Sequence, residues 1–196
     1  MINDTILNDV KMTPKKKEMK ELRSHCVDDS IIIIKNIFKD EYRKKLLEDA
    51  KPLLIDSEYC AAHYGTEIPG RQTHPTLYVH PKFTAAHKTI LWTIKSLTSL
   101  NFKVEGSWVN WTNGNRDDIN WHNHEGFDYS VVYYIKTLPF FNNGTVFETN
   151  KGNAKFIKAP QNSLMLFPAS LKHTAPPCPF RSDRYTLAME LNLNDS

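Results

Sequence analysis

The chain is expected to be an α+β protein, with helices in its first half packed on an all-β second half. The strongest helical stripe lies before residue 100: Phe83, His87, Ile90, Leu91, Ile94 and Leu97 recur at helix spacing between Pro81 and Leu100, with Lys82, Lys88 and Lys95 outside it. From Asn101 onward short apolar runs replace that period, divided by Asn, Gly, Pro and Asp. They are Phe102–Val104, Ser107–Trp111, Tyr129–Ile135, Thr145–Phe147, Lys155–Ile157, Ser163–Phe167 and Tyr185–Leu193, a spacing that indicates a sandwich or barrel. At 196 residues and 40% hydrophobic content the chain can bury one sizeable core.

In order along the chain, residues 1–29 are polar and Lys-rich (Lys15-Lys16-Lys17), with weak helical character from Glu18 to Arg23, and read as a solvated arm. Residues 30–196 form the expected single domain: a strand and supporting helices over 30–100, then a β core over 101–196. Ser30-Ile31-Ile32-Ile33-Ile34-Lys35 is a β-branched run and predicts a buried strand. Asp40 is placed to cap a helix carrying Leu46, Leu47 and Ala50 on one face, ended by Pro52. Gly65, Pro69, Gly70 and Pro75 make 56–76 a long loop, the kind that faces substrate, so Tyr64, Arg71 and His74 are the candidate selectivity residues. His87 lies on or beside the long helix's apolar stripe and reads as a core histidine. Asn142-Asn143-Gly144 signals a hairpin, and Pro176-Pro177 fixes a turn before the last strand.

Several classes are excluded. A formal charge of +3, concentrated in the arm, carries no nucleic-acid signal, and no segment is apolar enough to span a membrane. Cys26, Cys60 and Cys178 are odd in number and widely spaced, which argues against a disulfide framework or a structural zinc site. With no signal-peptide core at the start, the Asn110-Trp111-Thr112 and Asn143-Gly144-Thr145 sequons read as chance matches, and a cytoplasmic location is expected.

The chemistry centres on Trp121-His122-Asn123-His124-Glu125, at the head of the run Ser130–Ile135. In extended backbone His122 and His124 project the same way, and paired imidazoles suit a divalent transition metal. His173 follows a second apolar run and Arg184 opens a third. This His-x-His, distant His and Arg suggest an iron site with an anionic co-substrate. Arg184 and Thr186 share one strand face, while Leu187, Met189, Leu191 and Leu193 take the other. Arg181 is the competing guanidinium but precedes the alternation, and Arg184 could instead pair with a structural acid.

Together with Trp108-x-Asn110, Gly144-Thr145-x-Phe147, Leu166-Phe167-Pro168-Ala169-Ser170-Leu171-x-His173 and Arg184-Tyr185-Thr186-Leu187-Ala188, these motifs resemble the Fe(II)- and 2-oxoglutarate-dependent dioxygenases. The resemblance covers about half the chain (Glu105 to Asn192) and is nearest to the bacterial and phage-type group with His-x-His where others carry His-x-Asp. It implies a double-stranded β-helix (jelly-roll) core with flanking N-terminal helices, and Fe(II), 2-oxoglutarate and O2 as cofactor and co-substrates. His122 and His173 would be iron ligands. The middle ligand is His124 or, after a local bulge, Glu125 or Asp128. Arg184 would anchor the distal carboxylate of 2-oxoglutarate with help from Thr186, and Asn110 and Tyr133 are further inward polar candidates.

The implied reaction hydroxylates a protein residue or small metabolite and releases succinate and CO2. Two other readings fit the same residues: a cupin-like three-histidine iron dioxygenase that needs no 2-oxoglutarate, and a non-catalytic jelly-roll binding protein with structural histidines.

Overall fold

In the computed structural model, residues 30–64, 70–113, 120–138, 143–149, 152–176 and 182–194 are described. The arm over 1–29 and its weak helix lie outside them, as do Cys26, Cys178 and Arg181. Strand β1 (Ile32–Lys35) leads into α1 (Asp40–Ala50), β2 (Ile55–Asp56), α2 (Ser57–Tyr64), β3 (Arg71–Gln72) and α3 (Thr84–Thr98). Strands β4 (Phe102–Thr112), β5 (Tyr129–Lys136), β6 (Gly144–Glu148), β7 (Ala154–Lys158), β8 (Ser163–Pro168), β9 (His173–Thr174) and β10 (Arg184–Leu193) follow.

The strands form two sheets, a large one in the order β1-β8-β5-β10-β4-β3-β2 and a small one in the order β7-β6-β9, with every ladder antiparallel. The architecture is the α+β jelly roll expected from the sequence. Strand parity divides its core in two. Val109, Val131, Tyr133, Ile135, Leu187, Met189 and Leu191 face the helices and pack with Leu46, Phe83, Ala86, Ile90 and Ile94. Ile31, Ile33, Tyr134, Phe147, Ile157, Met165 and Phe167 fill the closed end between the sheets.

Four expectations change. Asp40 lies inside the first turn of α1 and not at its cap: Lys39 is the N-cap, and Asp40 accepts from the Arg43 guanidinium and pairs with Lys44 at 3.0 Å. An acid in the first turn gains from both the helix dipole and these neighbours three and four residues on. The loop expected over 56–76 contains a helix, α2, whose few apolar residues give it almost no stripe to detect; Cys60 is its buried contact. The runs Phe102–Val104 and Ser107–Trp111 are one strand. The register opposite β10 passes from Gly106–Glu190 to Val104–Leu191, so Glu105 is accommodated as a bulge. The Asn-Gly signal does not turn a hairpin, because β5 and β6 lie in different sheets. Gly144 is required for another reason: a Cβ there would come within 1.9 Å of the Ile157 carbonyl oxygen on β7.

His87 is buried as expected, bonded to the Phe83 carbonyl at 2.8 Å and the Ser107 hydroxyl at 2.7 Å. Burial pushes its pKa down to about 4. No described helix is long and apolar enough to cross a membrane.

Candidate metal centre and anion pocket

The two sheets meet at the histidines. Outside the named strands, His122 pairs with His173 on β9 through reciprocal backbone hydrogen bonds of 3.0 and 2.8 Å. His124 is fixed by its own N–H, which donates to the Ala169 carbonyl at 2.9 Å. The three rings converge, with centroids 4.4 Å (His122–His173), 5.2 Å (His122–His124) and 5.3 Å (His124–His173) apart. One nitrogen from each lies within 4.8 Å of the others.

The hydrogen bonds assign the tautomers. His122 Nδ1 faces the Asn120 carbonyl at 2.7 Å and His173 Nδ1 faces the Leu171 carbonyl at 2.8 Å. His124 Nδ1 faces the Glu190 carboxylate at 3.0 Å. Carbonyl and carboxylate oxygens only accept, so each Nδ1 carries a proton, and in the neutral ring the Nε2 lone pair is then left for a cation. Burial favours that neutral form in His122 and His173. It lowers the pKa of His122, with added repulsion from His124. It pushes His173 down to about 3, with His122 contributing next.

Glu125 and Asp128, the alternatives for the middle ligand, are turned to other work. Glu125 accepts from the Asn123 amide at 3.1 Å, and Asp128 Oδ2 accepts from the Leu193 N–H at 2.8 Å. Both are exposed, and neither belongs to the converging group.

Next to the histidines the large sheet lines a cavity of about 570 Å³. Its wall follows from the register. Arg184 stands opposite Thr112; Thr186 lies between Asn110 on β4 and Tyr134 on β5; Ala188 lies between Trp108 and Val132; Glu190 faces Gly106. Arg184, Thr186 and Asn110 therefore line the cavity together. The Arg184 side chain is buried, donates to the Pro176 carbonyl at 2.8 Å, and has no carboxylate partner among the described residues. Asn110 Oδ1 is a buried acceptor with no hydrogen-bond partner. A cation without an acid beside an unfilled acceptor is a cradle for an anionic, hydrogen-bonding ligand.

Tyr133 departs from its expected place. It points to the helical side, where its hydroxyl donates to Asn162 Oδ1 at 2.9 Å and its ring meets Phe38 edge-on. Its neighbour Tyr134 faces the cavity, its hydroxyl 2.7 Å from the Thr145 hydroxyl. The register shift of β5 against β10 between Tyr185 and Thr186 sets that parity, and a twin Tyr-Tyr gave no way to see it.

Of the segment expected to face substrate, Arg71 is exposed, paired with Asp56 at 2.7 Å and lying over the Trp111 ring. His74 is exposed, its Nδ1 3.1 Å from the Thr76 hydroxyl, and the Tyr64 side chain lies outside the described residues. Gln72, between them, lines the cavity. Sequence reasoning also missed Glu190, although a Glu at Arg184-x-Thr186-x-Ala188-x-Glu190 continues the inward alternation and was detectable on that ground.

No protein-family model matches the sequence, and no curated protein matches it. Solved structures do resemble it in three dimensions. A prolyl hydroxylase from Trichoplax adhaerens, in complex with a hypoxia-inducible-factor peptide, superposes with a TM-score of 0.65 at 14% identity, over 92% of this chain and 94% of that one. The non-heme alpha-ketoglutarate-dependent epimerase SnoN from nogalamycin biosynthesis gives 0.64 at 10% identity, over 90% and 83%. HygX from Streptomyces hygroscopicus, solved with nickel and 2-oxoglutarate bound, gives 0.59 at 11% identity, over 92% and 87%. At such identities the likeness speaks for the fold: this chain has the double-stranded β-helix architecture of a prolyl hydroxylase and a non-heme alpha-ketoglutarate-dependent epimerase.

Proposed function

We propose that the chain is an Fe(II)- and 2-oxoglutarate-dependent oxygenase that hydroxylates a protein residue or a small metabolite. The observation that carries this reading is the coincidence, in one cavity, of three converging imidazoles and a buried arginine that has no acid partner among the described residues. His122, His124 and His173 would hold the metal. Arg184 would bind the distal carboxylate through its guanidinium fork, with Thr186 and the orphaned Asn110 Oδ1 as polar neighbours. When bound, the iron and keto acid supply an oxidation in which decarboxylation to succinate and CO2 is coupled to oxygen transfer into a substrate C–H bond.

The chain's own contribution is geometric. The backbone pairing of His122 with His173 fixes two ligands before any metal arrives. Val132, Ala188 and Trp108 contribute apolar surface to the cavity wall. Gln72, which lines the cavity, would be the described residue of its segment to touch substrate, in preference to Arg71 and His74. The buried free thiol of Cys60 agrees with the cytoplasmic, reducing setting that forms part of this reading.

The test is conversion of 2-oxoglutarate to succinate with added Fe(II). Wild type should turn over, and Arg184→Ala should raise the KM for 2-oxoglutarate by at least about 30-fold, the loss of roughly 2 kcal/mol from one partner of a buried ion pair. Iron-dependent oxygenation indifferent to 2-oxoglutarate would instead select the cupin-like reading, and failure to bind any divalent metal the non-catalytic one.

A further inference from the structure

We infer that Glu190 supplies, through His124, the negative charge that a carboxylate ligand would otherwise bring to the metal, making it a positioning and charge-balancing residue of the centre. The inference rests on the three-histidine reading above. Three neutral imidazoles leave the charge of a divalent cation wholly uncompensated by its protein ligands, whereas a two-histidine, one-carboxylate site carries one negative charge. The three histidines are not equivalent in what lies behind them. The Nδ1 protons of His122 and His173 go to backbone carbonyls, and that of His124 goes to a carboxylate oxygen, Glu190 Oε1, at 3.0 Å. A carboxylate accepting the Nδ1 proton makes Nε2 more basic and fixes the ring's direction. The ligand that stands where a carboxylate is usual is thus the one backed by a carboxylate.

The sheet is arranged to admit that side chain. Glu190 is half-buried on an inward-facing position of β10, and the residue opposite on β4 is Gly106. A Cβ at Gly106 would lie 2.6 Å from Glu190 Oε2, so the missing side chain gives the carboxylate its room. Among the described residues Glu190 has no lysine or arginine partner; its hydrogen-bond contact is with His124 Nδ1. A glutamate whose task was to hold the sheet together would be expected to find a permanent cation.

The experiment titrates Mn(II) into wild type, Glu190→Gln and Glu190→Asp by calorimetry and measures the Fe(III)/Fe(II) midpoint potential of the same proteins. The Gln amide oxygen still accepts from His124 Nδ1, so that variant removes the charge and spares the shape. Mn(II) affinity should fall about 10- to 100-fold in Glu190→Gln. Its midpoint potential should rise, because loss of a nearby negative charge disfavours Fe(III) more than Fe(II). Glu190→Asp, which keeps the charge, should recover part of both effects and stands as the variant to read if Glu190→Gln does not fold. Affinity within about threefold of wild type, or a potential that stays put, would overturn the inference, as would equal losses in the Gln and Asp variants. Failure of wild type itself to take up Mn(II) would instead sink the three-histidine reading on which the inference stands.

Discussion

On β10, Leu187, Met189 and Leu191 are sealed among helix side chains, while Arg184, Thr186, Ala188 and Glu190 on the same strand look into the cavity. The two faces are made from one backbone ladder and differ in what they leave unsatisfied. On the helical face the Tyr133 hydroxyl and the Phe38 N–H both end on Asn162, and the Arg43 guanidinium ends on the Ile135 carbonyl at 2.8 Å. Among the described residues the concave face keeps an arginine without an acid, an asparagine oxygen without a donor and three converging imidazoles. One face is finished by folding; the other needs a ligand to finish it.

That contrast breaks first under paired truncations. Ile94, fully buried on α3, should cost about 2–5 kcal/mol when changed to alanine, since a cavity replaces its packing, with Mn(II) binding unchanged. His122→Ala should behave in reverse: metal-free stability within about 1 kcal/mol of wild type in urea unfolding, and Mn(II) affinity lower by at least about 100-fold. If His122→Ala destabilised the metal-free protein as much as Ile94→Ala, the histidines would belong to the packed framework and the division between faces would fail.

A second difference lies in proton linkage. His87 is on the closed face, and burial holds its pKa near 4 against an ordinary value of 6.5. Between those values the unfolded chain binds the proton and the folded one does not. The contribution to stability is therefore complete above pH 6.5 and is lost as pH falls toward 4, by roughly 3 kcal/mol in all. A His87→Gln variant should lose that part of the slope, seen as a shallower fall of urea stability from pH 7 to pH 4.5. Burial lowers His122 and His173 in the same direction, so the difference between variant and wild type is the quantity that isolates His87.

The packed face was largely legible because apolar periodicity records it. The stripe Phe83–Leu97 named the helix, and the alternation Leu187-x-Met189-x-Leu191 named the covered side of β10. The histidine cluster was legible in part: His-x-His puts His122 and His124 on one side, while the choice among His124, Glu125 and Asp128 stayed open in the sequence. Other parts were hidden for stated physical reasons. Helix α2 has too little apolar pattern to announce itself, and a bulge at Glu105 let a polar interruption pass through the middle of a strand. Tyr133 and Tyr134 cannot be told apart without the register that pairs Tyr134 with Thr186. Glu190 was readable by the parity that placed Arg184 and Thr186; a charged residue on a core strand is the signal that should have drawn the eye.

The same tyrosine pair gives the finest test of the two faces. Tyr133→Phe removes a hydroxyl that donates to Asn162 on the helical side, and should cost about 1 kcal/mol of stability with no change in the KM for 2-oxoglutarate. Tyr134→Phe removes a hydroxyl bonded to Thr145 within the cavity that also holds Arg184. Burial pushes that phenol up to about 12, so it stays protonated and acts as a hydrogen-bonding group throughout the working range. Its loss should raise the KM for 2-oxoglutarate about fivefold, the equivalent of one hydrogen bond of about 1 kcal/mol. The two substitutions delete the same atom from adjacent residues, so intrinsic propensity and volume cancel between them. A KM effect from Tyr133→Phe with none from Tyr134→Phe would reverse the parity of β5, and with it the wall of the cavity on which the co-substrate assignment depends.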